Sequence, residues 1–197
     1  MSLYLLIKNT LRPLTRLLFD VKVYGEENVP TSGPVVAAAN HRSFLDPPML
    51  GTWFPRIVNF MAKEELFKIP VLGWLIAKVH AFPVSRESAD IGSFRRALRI
   101  LKEGGVVGIF PEGTRNVTGE AKAKGGAVLL AATARCPIVP VGLVRTSLAV
   151  RRWRASHVEV RIGKPIELQG SARKATKAEI DAWTSQLSDE IERLSNP

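Results

Sequence analysis

The chain has few of the residues that form disulfides or bind metal ions. Its 197 residues include one cysteine, Cys136, so no intrachain disulfide can form, and this fits a reducing compartment. The histidines at 41, 80 and 157 and this cysteine lack the close spacing that metal ligands usually show. We therefore predict a protein without a bound metal.

Long apolar runs are also missing. The sequence contains no uninterrupted apolar stretch of about 18 residues, which argues against a helix that spans a bilayer. The N-terminus does not resemble a cleavable signal, because its apolar stretch precedes the basic residues and no small-residue cleavage site follows. We expect a location in the cytosol or at a membrane surface.

Acidic residues are in the minority. The chain has 28 Lys and Arg against 18 Asp and Glu, which gives a formal net charge of +10. Such a charge favours anionic partners: phosphorylated metabolites, acidic membrane surfaces or nucleic acid. With 46% apolar and 23% charged residues, no internal repeat and no linker, the chain is expected to form one domain.

Apolar runs of strand length alternate with segments of helical periodicity. This alternation predicts an α/β fold with a mainly parallel sheet covered by helices on both faces. In such sheets the chemistry gathers at the carboxyl ends of the strands. We predict strands at 21–24, 35–39, 57–62, 81–84, 106–110, 138–144 and 157–162 and helices at 47–53, 92–102, 126–134 and 180–194.

Two apolar segments each allow two interpretations. Residues 3–19 form a basic amphipathic helix with a bend expected at Pro13. It either packs on the core with its basic face in water or lies at a membrane surface with its leucines inserted. Residues 64–78 are rich in large apolar side chains, which is typical of core, although this segment can also line an aliphatic groove or contact lipid.

The pair His41 and Asp46 follows the predicted strand 35–39. On one helix these positions would point about 140° apart at roughly 100° per residue. A strand, a loop and a helix start can instead bring them together, so that the imidazole removes a proton while the carboxylate fixes its tautomer. The alternative is structural: Asp46 caps the helix that begins at Pro47, and His41 is an ordinary loop residue.

Two further strand ends carry basic or polar residues. Arg86 follows the predicted strand 81–84, and Glu112-Gly113-Thr114-Arg115 follows the predicted strand 106–110. A base beside several guanidinium groups suits a substrate that has both a phosphate and a hydroxyl to be activated.

Together these segments resemble four sequence blocks of the glycerolipid acyltransferases, particularly the bacterial 1-acylglycerol-3-phosphate acyltransferases. Asn-His-x4-Asp is matched at 40–46, a block ending in arginine at 81–86, Phe-Pro-Glu-Gly-Thr-Arg at 110–115, and a proline-centred block at 139–141. The order and intervals also agree. The chain departs from the pattern at His80, where the second block usually opens with glycine, and at Asn116, where serine usually follows the third.

The resemblance implies transfer of an acyl group from a thioester, acyl-CoA or acyl carrier protein, to the free hydroxyl of lysophosphatidic acid, giving phosphatidic acid. No cofactor is implied, because a thioester is already activated. By this resemblance His41 is the base and Asp46 its partner. The implied acceptor-binding residues are Lys63, Arg86 and Arg115, with Glu112, Gly113 and Thr114 shaping the site.

Other functions stay open from the sequence. The same chemistry can act on glycerol 3-phosphate or on a phosphate-free lyso-lipid. A thioester or lipid hydrolase is a second class, although no Gly-x-Ser-x-Gly elbow is present. A non-catalytic binder of anionic lipid or nucleic acid is a third, but binding alone does not require His41 paired with Asp46.

The acyltransferase interpretation also predicts how the chain is organised and where the protein is located. We expect residues 1–20 to form a membrane-surface helix and residues 21–197 the acyltransferase domain. The expected partners are the lysophospholipid, the acyl thioester, carried on coenzyme A or on acyl carrier protein, and an anionic membrane surface, without nucleic acid. The expected location is the cytoplasmic face of the cell membrane, without a spanning helix.

Overall fold

A computed structural model describes residues 3–85, 90–113, 115, 123–147, 157–168 and 175–196. Seven strands and seven α-helices lie in these ranges. The elements, in chain order, are α1 (Leu3–Phe19), β1 (Val21–Tyr24), β2 (Val35–Ala39), α2 (Asp46–Trp53), β3 (Val58–Lys63), α3 (Glu64–Phe67), α4 (Pro70–Lys78), β4 (Phe82–Val84), α5 (Ile91–Lys102), β5 (Val106–Ile109), α6 (Gly126–Ala134), β6 (Ile138–Val144), β7 (Val158–Ile162) and α7 (Lys177–Ser195).

The described strands form one sheet in the order β1-β7-β6-β2-β5-β3-β4. The five strands from β6 to β4 are parallel, whereas β7 runs antiparallel to β6 and β1 runs parallel to β7. The carboxyl ends of β2, β5 and β3 therefore meet at one edge of the sheet. The prediction of a mainly parallel sheet is confirmed.

Helices cover both faces of this sheet. One apolar cluster contains Leu50 of α2, and side chains of α1, α3 and α4 pack against it. The other contains Leu101 of α5, Leu130 of α6 and Leu187 of α7. β2 is fully buried because it lies between these two layers, which explains its run of small apolar residues without polar alternation.

The expectation that residues 64–78 belong to the core holds for only part of the segment: Phe67 and Ile76 pack against the apolar cluster that contains Leu50, whereas other apolar side chains of the segment are exposed. Gly73 is the buried residue of α4, because its backbone packs against that of Phe67. No described element covers the outer side of α4. Four apolar side chains within α4 or directly before it are between 40% and 79% exposed: Ile69, Val71, Trp74 and Leu75.

Helix α1 packs on the domain through its polar side and not through its apolar stripe. Its buried residues are Tyr4, Lys8 and Thr15, and Leu17 is 81% exposed. The expectation that α1 packs through its apolar stripe with the basic side in water is therefore wrong. The other leucines exposed to solvent are Leu3, Leu5, Leu6 and Leu14.

The reason for this orientation is hydrogen bonding at the end of α2. The last carbonyls of a helix have no intrahelical donor. The Tyr4 hydroxyl donates to the Gly51 carbonyl, Arg12 Nε donates to the Thr52 carbonyl, and Lys8 Nζ donates to the Phe54 carbonyl at 2.6 Å. The polar side of α1 thus caps α2, which leaves the leucines outside. No helix in the described ranges is both long and apolar enough to cross a membrane.

Burial changes the titration of Lys8. It lowers the pKa of the ammonium from 10.5 to about 8; the nearby Arg12 charge acts in the same direction, and Glu26 opposes both. Between these two pH values the unfolded state binds more protons than the native state. The free energy of unfolding should therefore rise as the pH increases from about 8 to 10.5.

We expect one lysine to titrate near pH 8 in NMR spectra of protein labelled at the lysine side chains. Lys8→Arg should remove that resonance. Lys102→Arg, at an exposed lysine in the last turn of α5, should leave it in place. A Lys8 resonance that titrates together with the other lysines would contradict the buried docking of α1.

The departure at His80 has a structural explanation. Its φ is 64°, in the left-handed region that favours glycine, which accounts for a glycine preference at this position. The His80 ring lies 5.2 Å from the ring of Tyr4, measured between centroids. Histidine at this position thus adds a contact between α1 and the loop before β4.

Candidate active site

Asn40 fixes the start of the loop that follows β2. It is buried, and its side chain forms two hydrogen bonds with the backbone of one residue in β6. Nδ2 donates to the Leu143 carbonyl at 2.9 Å, and Oδ1 accepts from the Leu143 amide at 2.7 Å. The side chain therefore ties the end of β2 to the neighbouring strand directly before His41.

His41 and Asp46 are brought together, as their spacing predicts. His41 Nδ1 lies 3.0 Å from Asp46 Oδ2. The same oxygen accepts from the backbone amides of Arg42 and Ser43, each at 2.6 Å. The carboxylate is fully buried, while 15% of the histidine side chain is exposed. Two amides and the imidazole thus hold one carboxylate oxygen.

The alternative in which Asp46 is a helix cap is wrong. α2 begins at Asp46 itself, and Leu45 occupies the N-cap position. The carboxylate turns back to the loop amides instead of the first amides of its own helix. Its second oxygen, Oδ1, is buried without a hydrogen-bond partner among the described residues. Asp46 therefore shapes the loop that carries His41.

Two residues from the end of β5 hold His41 from the other side. The Phe110 ring stacks on the imidazole at 4.4 Å between centroids, with 27° between the planes. The Glu112 carboxylate accepts the backbone N–H of His41 at 3.1 Å. With Asp46 on Nδ1 and Phe110 on the ring face, Nε2 is left without a hydrogen-bond partner in the described part of the chain.

The predicted cationic residues are only partly described. Arg115 is exposed, and its guanidinium carbon lies 3.6 Å from the centroid of the Phe44 ring, within the loop between His41 and Asp46. Lys63 is exposed at the carboxyl end of β3. β5 separates β3 from β2, so the backbones of these two strands are about 10 Å apart at normal strand spacing. Arg86 and Thr114 lie outside the described residues.

The turn after β5 does not offer Gly113 as an oxyanion donor. The Gly113 amide donates to the Phe110 carbonyl at 3.0 Å, so it is already used within the turn. Gly113 has φ 72°, a conformation that favours glycine. Its role in this structure is to let the chain turn directly after Glu112.

Sequence reasoning missed three contacts of this site. Asn40 was recognised as part of a motif, but its bridge to Leu143 depends on strand order. The stack of Phe110 on His41 and the contact of Phe44 with Arg115 also join residues far apart in the chain. The available signal was one aromatic residue within each of the two polar motifs, Phe44 in 40–46 and Phe110 in 110–115.

The arrangement can abstract a proton. Hydrogen bonding of Nδ1 to a carboxylate keeps the proton on that nitrogen and leaves Nε2 as an acceptor. Within the described ranges, no three His, Cys, Asp or Glu side chains come together as metal ligands would. The geometry is that of a base supported by a carboxylate, at a strand edge that also carries cations.

Comparison with known proteins identifies the class to which this site belongs. The acyltransferase family model matches residues 20–144, which include His41, Asp46 and the turn after β5. The chain therefore belongs to the acyltransferase family, and the resemblance based on the four sequence blocks is confirmed.

Individual proteins of known activity are similar to this chain along almost its whole length. The 1-acyl-sn-glycerol-3-phosphate acyltransferase of Bacillus subtilis is 34% identical over 195 residues, covering 98% of each protein. The enzyme of the same name from Pseudomonas aeruginosa is 29% identical, covering 93% of this chain and 77% of its own length. The crystal structure of the 1-acyl-sn-glycerophosphate acyltransferase PlsC from Thermotoga maritima superposes with a TM-score of 0.73 at 25% identity, covering 98% of this chain and 80% of that one.

Proposed function

We propose that this acyltransferase moves a fatty acyl group from a thioester to the free hydroxyl of 1-acylglycerol 3-phosphate, giving phosphatidic acid in phospholipid biosynthesis. The observation that carries the proposal is the His41–Asp46 pair, in which Nε2 of the histidine has no hydrogen-bond partner among the described residues, at the edge of the sheet that also carries Lys63. The names of the relatives support the choice of acceptor.

His41 acts as the general base. Nε2 takes the proton of the acceptor hydroxyl as its oxygen attacks the thioester carbonyl. Asp46 stabilises the imidazolium that forms, through the contact with Nδ1. When the tetrahedral intermediate collapses, the carbon–sulfur bond breaks and the imidazolium returns the proton to the leaving thiolate. The products are one ester and one thiol, and the histidine is neutral again.

Cationic side chains bind the phosphate of the acceptor in this proposal. Arg115 is the strongest candidate, because its guanidinium lies on Phe44, three residues after the base. Lys63 is the last residue of β3, and Arg86 comes two residues after the end of the neighbouring strand β4 in the sequence. Glu112 and Gly113 shape the turn, and Thr114 lies between them and Arg115. The reaction needs no cofactor, since acyl-CoA or acyl carrier protein supplies an activated acyl group.

An acceptor panel tests the proposed function. The protein is incubated with each thioester donor and with lysophosphatidate, glycerol 3-phosphate, lysophosphatidylcholine or monoacylglycerol, and the lipids are measured by mass spectrometry. We expect phosphatidic acid from lysophosphatidate to form fastest. A faster reaction with a phosphate-free acceptor would contradict the assignment of lysophosphatidate as the acceptor. Faster acylation of glycerol 3-phosphate would show that the acceptor is a glycerol phosphate without an acyl chain.

The membrane is the proposed partner of the apolar surface formed by α1 and α4. Both helices lie on the same face of the sheet, and Tyr4 of α1 contacts His80 directly after α4. The exposed side chains include Leu14, Leu17, Val71 and Trp74. Apart from Lys8 and Arg12, which bind the end of α2, residues 3–19 and 63–80 carry four Lys or Arg and two Glu, which suits anionic headgroups.

This proposal treats residues 1–20 as the membrane-surface helix and 21–197 as the catalytic domain. The basic side of α1 does not itself face the lipid, because Lys8 and Arg12 bind the end of α2. The leucines of α1 are the lipid-contacting group. We place this surface on the cytoplasmic face of the cell membrane, with which a free Cys136 thiol is compatible.

Charged substitutions on this surface should weaken vesicle binding. Leu14→Glu with Leu17→Glu, or Val71→Glu with Trp74→Glu, should each reduce flotation with vesicles containing anionic lipid by about tenfold, because two apolar side chains no longer enter the lipid. Leu129→Glu is the control, since Leu129 is an apolar side chain about as exposed as Leu14 but belongs to α6 on the other face. If both double variants float as the wild type does, the surface formed by α1 and α4 does not bind the membrane.

A further inference from the structure

We propose that Lys124 is an additional phosphate-binding residue of the active site, directed at the phosphate of the acceptor. The inference rests on the proposed function and deepens it. The sequence gives little reason to single out this lysine, because it lies nine residues after Arg115, outside the turn after β5. Its placement depends on how the chain returns to the strand edge.

The backbone brings Lys124 back to the turn after β5. Its amide donates to the Pro111 carbonyl at 2.9 Å. The side chain then extends over Gly113, where a Cβ atom on that glycine would lie 3.6 Å from Lys124 Nζ. The ammonium is thus held against the turn that connects Glu112, whose carboxylate binds the His41 amide, to Arg115.

Lys124 also lines an open, mainly apolar cavity of about 220 Å³ next to this turn. Phe110, which stacks on His41, is part of the cavity wall. The other charged residue in the lining is Asp90, and its carboxylate is already used: it accepts from the Ser93 and Ser85 amides. These bonds hold the pKa of Asp90 below its usual value. The Lys124 ammonium is therefore the charged group of the lining whose side chain has no hydrogen-bond or ion-pair partner among the described residues.

Nothing neutralises Lys124 in the described part of the chain, where no carboxylate lies within ion-pair distance of it. Helix α6 begins two residues later and adds the positive end of its dipole on the same side. The ammonium is exposed to solvent, so an anion that enters the open cavity can reach it directly. Phosphate is the anion that the proposed acceptor supplies.

Lys124 and Arg115 would then contact the phosphate from the two ends of one segment. Arg115 is positioned by Phe44, and Lys124 is positioned by Pro111 and Gly113. A bidentate guanidinium and a point-charge ammonium divide the phosphate oxygens between them, a combination that favours a dianionic phosphate monoester over a diester headgroup. The second cation thus acts on selectivity as well as affinity.

The test compares Lys124→Gln with Lys102→Gln. Both are exposed lysines, but Lys102 ends α5 at the opposite edge of the sheet. For Lys124→Gln we expect the KM for lysophosphatidate to rise about tenfold, with kcat changed less than about threefold, because a binding contact is lost while the base is intact. The KM for acyl-CoA should not change, and Lys124→Arg should recover most of the loss. Lys102→Gln should behave as wild type.

Competition with glycerol 3-phosphate gives a second readout. Its inhibition constant against lysophosphatidate should rise in Lys124→Gln by about the same factor as KM. An unchanged KM and inhibition constant would overturn the inference, and so would a rise confined to the KM for acyl-CoA, which would assign Lys124 to the donor phosphates. If the wild-type protein makes no phosphatidic acid at all, it is the proposed function that fails.

Discussion

Replacement of His41 by alanine is expected to lower kcat about 10³- to 10⁴-fold, because the imidazole is the only group proposed to take the proton of the acceptor hydroxyl. The acceptor is bound by other residues, so its KM should change little. The fold should persist, since Asn40 holds the strand end and Asp46 keeps both of its backbone donors.

The matched control is His157→Ala. His157 is exposed before β7 and pairs with Asp20, far from the turn after β5 in the sequence. Both variants are compared by initial rate and by melting temperature. Residual turnover of His41→Ala within about tenfold of the wild-type rate would reject the base assignment, provided that the variant melts like the wild type.

Asp46→Asn is expected to have the second largest effect, about 10³-fold on kcat. An amide is neutral and cannot stabilise the imidazolium as a carboxylate does. The substitution also replaces one carboxylate oxygen by an NH₂ group. In the wild-type protein Oδ2 binds two backbone N–H groups and the imidazole, and an amide oxygen there carries no negative charge. Loss of charge-assisted hydrogen bonds to a buried carboxylate should cost about 2 kcal/mol of stability as well.

Two measurements separate these contributions. Thermal unfolding reports the stability loss, with Asp189→Asn on the exposed side of α7 as the control. The KM for the acceptor should stay near the wild-type value if Asp46 acts through His41. A variant with near wild-type kcat would show that the carboxylate is needed for the loop and not for the reaction.

The sequence was sufficient to predict the features that depend on local patterns. Strand positions follow from short apolar runs, and nearly all predicted boundaries are within one residue of those observed. The pairing of His41 with Asp46 was also predictable, because a strand, a loop and a helix start leave few other arrangements for a five-residue interval. Burial of β2 between two helical layers follows from its composition.

Features that depend on contacts between distant elements could not be predicted in this way. An amphipathic pattern shows that α1 has two sides, but which side packs depends on the unsatisfied carbonyls at the end of α2. The sequence could not decide between burial and exposure of Trp74 for the same reason, since periodicity does not say whether another element covers a helix. The bridge from Asn40 to Leu143 requires knowledge that β6 is the neighbour of β2.

In the proposed mechanism this chain transfers an acyl group to a lysophospholipid hydroxyl with His41 as the base. The most direct measurement follows thiol release from acyl-CoA and ester formation in one reaction, with and without lysophosphatidate. We predict one phosphatidic acid for each thiol released, almost no thiol release without acceptor, and loss of both signals in His41→Ala. Release of free fatty acid that does not depend on the acceptor would contradict the account and indicate a hydrolase.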